Sequence, residues 1–192
     1  AIQKLRFDDG GELTVGQLIA LRGGFTQIGT AGDDEIYGTQ FDDRLEGLAG
    51  NDTLYGEGGN DTLVGGPGDD FLAGGGGEDS YIFNPGDGAD VIDDLTYHWG
   101  GPGGEFRIAE NSTLILGAGI TPAMVAASVD QNEMVTLNIG DDDSVRIGSL
   151  SEPAIRSVVF SDGAAFSVAG ILSGKPAASA IADQVTRQGD SF

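Results

Sequence analysis

Residues 47–70, GLAGNDTLYGEGGNDTLVGGPGDD, set Asp52, Asp61 and Asp70 nine residues apart, each in register with glycines and one large apolar residue. Solubility alone does not demand that spacing. Working outward in the same frame, nine-residue units run from Gly29 as GTAGDDEIY, GTQFDDRLE, GLAGNDTLY, GEGGNDTLV, GGPGDDFLA and GGGGEDSYI. Glycine opens every unit, aspartate is sixth in each, and the eighth place reads Ile36, Leu45, Leu54, Leu63, Leu72 and Tyr81. A further copy, PGDGADVID from Pro85, follows a two-residue slip with Asp90 sixth and Ile92 eighth. Six units in phase and one slipped do not arise by chance, and such a fixed period marks a repeat architecture.

This nonapeptide resembles the RTX (repeats-in-toxin) calcium-binding repeat. The resemblance implies an all-β fold, a right-handed parallel β-roll in which two nonapeptides complete one coil, six residues forming each turn and three each short strand. A β-rich cap is expected to follow it. The eighth residues then form an inward ladder, which supplies a narrow core and no chemistry.

Elementary electrostatics asks for a cation independently of the resemblance. Equivalent residues of a parallel coil stack at the inter-strand spacing of about 4.8 Å. Asp34, Asp52 and Asp70 then fall in one column, and Asp43, Asp61 and Asp79 in another. Neighbouring carboxylates that close repel by roughly 3 kcal/mol at an effective dielectric of about 20. Residues 29–94 carry 17 acidic side chains against one basic, Arg44, and so hold most of the chain's net charge of -22. Bound cations would offset the repulsion. Carboxylate with backbone carbonyl is the ligand set of a hard ion, and several Ca2+ ions fit an irregular oxygen cage better than Mg2+ does. The expected metal ligands are Asp34, Asp43, Asp52, Asp61, Asp70, Asp79 and Asp90, with Asp94 as a further candidate. Carbonyl candidates are Gly29, Gly38, Gly47, Gly50, Gly56, Gly59, Gly65 and Gly68. Phe41 replaces the fourth glycine of the second unit, which would distort the site of Asp43 and Asp61. Pro67 and Glu78 are departures without expected effect.

Such acidity argues against nucleic acid, anionic membranes and polyanionic glycans as partners, since each would be repelled. The chain has no cysteine, which excludes disulfides and thiolate metal sites. It has one histidine, His98, and neither HExxH nor GxSxG, so a non-catalytic role is expected.

Beyond the roll, STLILGAG, MVAASVDQ, MVTLNIG, DSVRIGSL and IRSVVFSDGAAFSV are strand-like runs punctuated by turn residues. Asp141, Asp142 and Asp143 fall between two runs as a hairpin turn, and Pro122 after Thr121 suits one helical turn. Residues 1–22 align without gaps on residues 154–175, sharing Ala1/Ala154, Ile2/Ile155, Phe7/Phe160, Asp9/Asp162, Gly10/Gly163 and Val15/Val168. The expected organisation is therefore a preceding module's tail or an N-terminal cap over 1–28, a roll over 29–94, a cap over 95–174, and a linker over 175–192. The last residues, IADQVTRQGDSF, resemble the opening of cadherin-like or immunoglobulin-like modules.

The leading functional expectation is a calcium-induced folding and spacer module of a type I-secreted adhesin or exoprotein, secreted or on the bacterial surface, monomeric as a fragment and flanked by other modules. One alternative is recognition of a glycan, cell surface or ice, with Tyr97 and Trp99 as candidate contacts. Another is the secretion appendage of a lipase or protease.

Overall fold

A computed structural model describes the backbone of residues 4–6, 12–14, 24–99, 105–109, 111–149 and 155–173. Side chains are described over 24–94, 111–149 and 155–173. Residues 100–104 and those from 174 on lie outside the described residues.

The sequence period becomes three-residue strands at nine-residue intervals. β1 (Lys4–Arg6) and β2 (Glu12–Thr14) form a separate antiparallel hairpin. The roll strands are β3 (Thr26–Ile28), β4 (Glu35–Tyr37), β5 (Arg44–Glu46), β6 (Thr53–Tyr55), β7 (Thr62–Val64), β8 (Phe71–Ala73), β9 (Ser80–Phe83) and β10 (Ala89–Ile92). Alternate strands pair in parallel with an offset of 18 residues, as in Leu45 with Leu63 and Leu54 with Leu72. From β8 to β10 the offset becomes 20, Phe71 facing Val91, so the slip in the sequence is absorbed without loss of pairing. β3 precedes the first glycine-opened unit yet occupies a roll position, pairing with β5.

Two parallel sheets result, one of β3, β5, β7 and β9 and the other of β4, β6, β8 and β10. The middle residue of each strand from β4 to β8 points inward, as do Tyr81 of β9 and Ile92 at the end of β10, and Ile36, Leu45, Leu54, Leu63, Leu72, Tyr81 and Ile92 are all buried between the two sheets. Outward residues stack on one another instead, as Tyr37 does on Tyr55 with ring centroids 5.0 Å apart.

β11 (Leu95–Trp99) and β12 (Glu105–Ala109) form a second separate hairpin. The remaining strands extend the two roll sheets. β13 (Ser112–Leu116) adds in parallel to β9, then β17 (Ile155–Phe160) in parallel to β13, and β18 (Ala165–Ser167) antiparallel to β17. On the other sheet β16 (Asp143–Ser149) adds in parallel to β10, followed by β15 (Met134–Ile139) and β14 (Val125–Val129). A short helix, α1 (Val168–Leu172), follows β18. One apolar cluster runs from Ile36 through Leu114, Leu137, Ile147 and Val158 to Val168, so the narrow roll core widens into the cap without a break. The helical turn at Pro122–Met124 is present as a 3-10 turn, although Thr121 makes no side-chain cap.

Candidate metal centre

Each sixth-position aspartate from Asp34 to Asp79 stands at the end of a turn, just before its strand, and Asp90 is the second residue of β10; the parallel register carries each over its equivalent in the next coil. Its Oδ1 accepts from the backbone N–H of the aspartate one coil earlier: Asp34 to Asp52 at 2.8 Å, Asp52 to Asp70 at 2.8 Å, and Asp70 to Asp90 at 3.1 Å. The other column repeats this, Asp43 to Asp61 and Asp61 to Asp79 at 2.7 Å each, and ends where the Asp79 N–H donates to Ser112 Oγ of the cap. Asp43, Asp52, Asp61, Asp70, Asp79, Asp90 and Asp94 are all buried.

A second ladder runs the opposite way through the fifth residues. Asp33 accepts from the Asn51 N–H, Asp42 from Asn60, Asn51 from Asp69, Asn60 from Glu78 and Asp69 from Ala89. Nothing in the aspartate period alone points to it. The signal was the restriction of the fifth place to Asp, Asn or Glu, which reads equally well as a solvated face. Glu78 ends one column, and its Oε1 accepts from Asn111 Nδ2 at 3.4 Å.

The Oδ2 atoms decide what the site can hold. In Asp52, Asp61, Asp70 and Asp94 this atom is buried with no donor within reach. A buried carboxylate oxygen without a donor is costly, so a cation is the natural complement. Asp34 and Asp43 differ. Asp34 Oδ2 accepts from the Thr30 N–H at 2.6 Å and its hydroxyl at 2.9 Å, and Asp43 Oδ2 accepts from Thr39 in the same way at 2.5 and 2.8 Å. Threonine is second in these two units only; the second residues of the next four, Leu48, Glu57, Gly66 and Gly75, take positive φ of 84°, 76°, 104° and 93°.

The opening glycines face these carboxylates. A Cβ on Gly47, Gly56 or Gly65 would overlap the Oδ2 of Asp52, Asp61 or Asp70 respectively, and one on Gly29 or Gly38 would crowd Asp34 or Asp43. The carbonyl oxygens of Gly47, Gly56, Gly65 and Gly74 close against the opening glycine one coil earlier. The fourth glycines approach backbone as tightly: Gly68, at φ +155°, sits over the Gly50 carbonyl, and Gly77 over that of Gly59. Among the described residues no three His, Cys, Asp or Glu side chains converge on one point. Any ion here would therefore take one or two carboxylates and complete its shell from these carbonyls. That donor set, with its buried orphaned oxygens, suits a large oxygen-seeking ion such as Ca2+.

In the metal-free chain burial raises the carboxyls, Asp52 above its ordinary range, Asp70 to about 6, Asp61 to about 7 and Asp90 to about 8. Asp94 is also raised by burial, to about 8, and it neighbours Asp79. The Tyr81 hydroxyl donates to Asp94 Oδ1 and accepts from the Gly74 N–H. Tyr81 thus departs from the leucine column to fasten Asp94 at the junction of roll and cap.

Asp143 was expected as a turn residue and does close the β15–β16 hairpin. It also accepts from the Gly86 N–H at 2.8 Å and the Gly88 N–H at 3.3 Å, tying the cap to the slipped repeat. Tyr97 and Trp99 lie on β11, whose side chains fall outside the described residues.

A stack of short parallel strands with paired aspartate turns defines the class: a calcium-binding parallel β-roll. The RTX calcium-binding nonapeptide repeat model matches residues 28–63 and 55–92, and that segment, about a third of the chain, is an RTX repeat block. Two solved structures are similar over a larger part. The AlgE6R3 subunit of the Azotobacter vinelandii mannuronan C5-epimerase is 26% identical with a TM-score of 0.43, the match covering 70% of this chain and 81% of that one. The AlgE6R2 subunit of the same enzyme is 24% identical with a TM-score of 0.43, covering 65% and 84%. No curated protein matches the chain.

Proposed function

We propose that this chain is a non-catalytic module of a secreted bacterial protein, folded by calcium, in which Asp52, Asp61, Asp70, Asp79, Asp90 and Asp94 supply the carboxylates. The observation that carries the reading is the set of buried Oδ2 atoms without donors, confined to the coils that lack Thr30 and Thr39. The opening glycine carbonyls complete each shell.

Such a roll has little reason to fold where calcium is scarce. At 1 mM calcium, a site with a dissociation constant of about 0.1 mM contributes about 1.4 kcal/mol. Four or five sites together reach the stability of a small domain, commonly about 5–15 kcal/mol. Folding after export through a type I system would follow from that gradient, and a spacer or adhesin array is the use that fits it best. No helix among the described residues is long and apolar enough to cross a membrane.

Calorimetric titration of the chelated chain with calcium tests the assignment. Several ions should bind per chain, and Asp61→Asn should bind at least one fewer. An unchanged stoichiometry in Asp61→Asn would remove that carboxylate from the site.

A further inference from the structure

The hairpins β1–β2 and β17–β18 share one register. In the first, Lys4 opposes Thr14, Leu5 opposes Leu13 and Arg6 opposes Glu12. In the second, Ser157 opposes Ser167, Val158 opposes Phe166 and Val159 opposes Ala165. Each pair of the second is a pair of the first displaced by 153 residues, the same displacement that aligns residues 1–22 with 154–175.

The second copy shows what each position does. Ile155, Val158, Phe160 and Val168 are buried, and Phe166, Ile171 and Leu172 pack on the same core. The matching residues of the first copy are Ile2, Leu5, Phe7, Val15, Leu13, Leu18 and Ile19, apolar at every place. Asp162 Oδ1 accepts from the Ala164 N–H and Gly163 turns at φ +85°; Asp9 and Gly10 stand there in the first copy. The Ser167 hydroxyl caps α1 by accepting from the Gly170 N–H, and Thr14 is its counterpart, with Gln17 three residues on as a capping box requires.

Pairing is where the copies part. β17 lies against β13 on its other edge, whereas β1 pairs with no described strand but β2. In this chain the seat on β13 is already taken, by β9 on one side and β17 on the other.

We infer that residues 1–22 are a closing hairpin that seats on the β13-type edge of a second roll-and-cap module of this kind. The partner is thus another module with the same architecture, and the contact is parallel strand addition covered by an apolar face. Residues 20–25, which lead from the first copy to β3, span at most about 20 Å when fully extended. A module so closed is held next to the first coil of this roll, end to end. The inference stands apart from calcium binding.

The test replaces residues 154–175 of the full chain with the sequence of residues 1–22 and adds Ile115→Cys with Arg6→Cys in the grafted copy. Ile115 faces Val159 in the native register, and Arg6 takes the place of Val159. Adjacent strands stand at a separation that a disulfide can span. The expected result is calcium-induced β structure equal to that of the unaltered chain and near-complete cross-linking, as in an Ile115→Cys, Val159→Cys control. A graft that fails to fold, or that folds without the cross-link, would overturn the inference. A graft carrying Leu5→Asp and Phe7→Asp sets the level of failure.

Discussion

At the scale of single residues, the chain uses two ways to complete a sixth-position aspartate. Asp34 and Asp43 take a backbone N–H and a hydroxyl from the threonine four residues earlier. Asp52, Asp61 and Asp70 have no such donor, because Leu48, Glu57 and Gly66 in the second place turn the backbone to positive φ. Leu48 and Glu57 accept a conformation that costs non-glycine residues about 1 kcal/mol, which glycine would not incur. Replacing Thr30 by glycine should therefore release Asp34 Oδ2 and add one bound calcium per chain, read by equilibrium dialysis. An unchanged count would show that the hydroxyl does not exclude the ion. The sixth-position aspartates and inward leucines were legible because period nine exposes them directly. The threonine substitution was visible in the sequence but silent, since its meaning lies in which oxygen it reaches.

At the scale of turns and strands, burial within the columns makes some of their carboxyls hard to ionise. Burial lifts Asp70 to about 6, Asp61 to about 7 and Asp90 to about 8 without metal, against about 3.9 in an unfolded chain. Folded values above the unfolded one mean that the folded state binds more protons. These groups therefore favour folding fully below about pH 4, and that contribution is lost as the pH rises through 6 to 8. The β-structured fraction of the chelated chain, small at neutral pH, should grow as the pH is lowered from about 8.5 to 5, read by far-UV circular dichroism. Protons and calcium compete for the same oxygens, so the calcium midpoint should rise over the same fall in pH. Greater stability of the chelated chain at the alkaline end would contradict the burial of these carboxylates. Asp143 was not legible at this scale, since its partners Gly86 and Gly88 lie 57 and 55 residues away and only the folded cap brings them near.

At the scale of the whole molecule, the roll and cap share both sheets and one apolar core. The strand-like runs after Ser112 foretold the cap's elements, whereas their order in the sheets was hidden. Parallel addition of β13 and β16 to the last roll strands depends on contacts 33 and about 55 residues apart, which local patterns do not encode. Continuity of this kind predicts one cooperative unfolding transition with calcium bound, with calorimetric and van't Hoff enthalpies in agreement. Two separated transitions would show that the cap stands without the roll. The central claim is that the aspartate columns need a cation to fold. Far-UV circular dichroism of the chain, titrated with calcium from a chelated start at neutral pH and repeated with magnesium, tests it most directly. The account predicts a cooperative gain of β structure with calcium and not with magnesium; full β structure in excess chelator would contradict it.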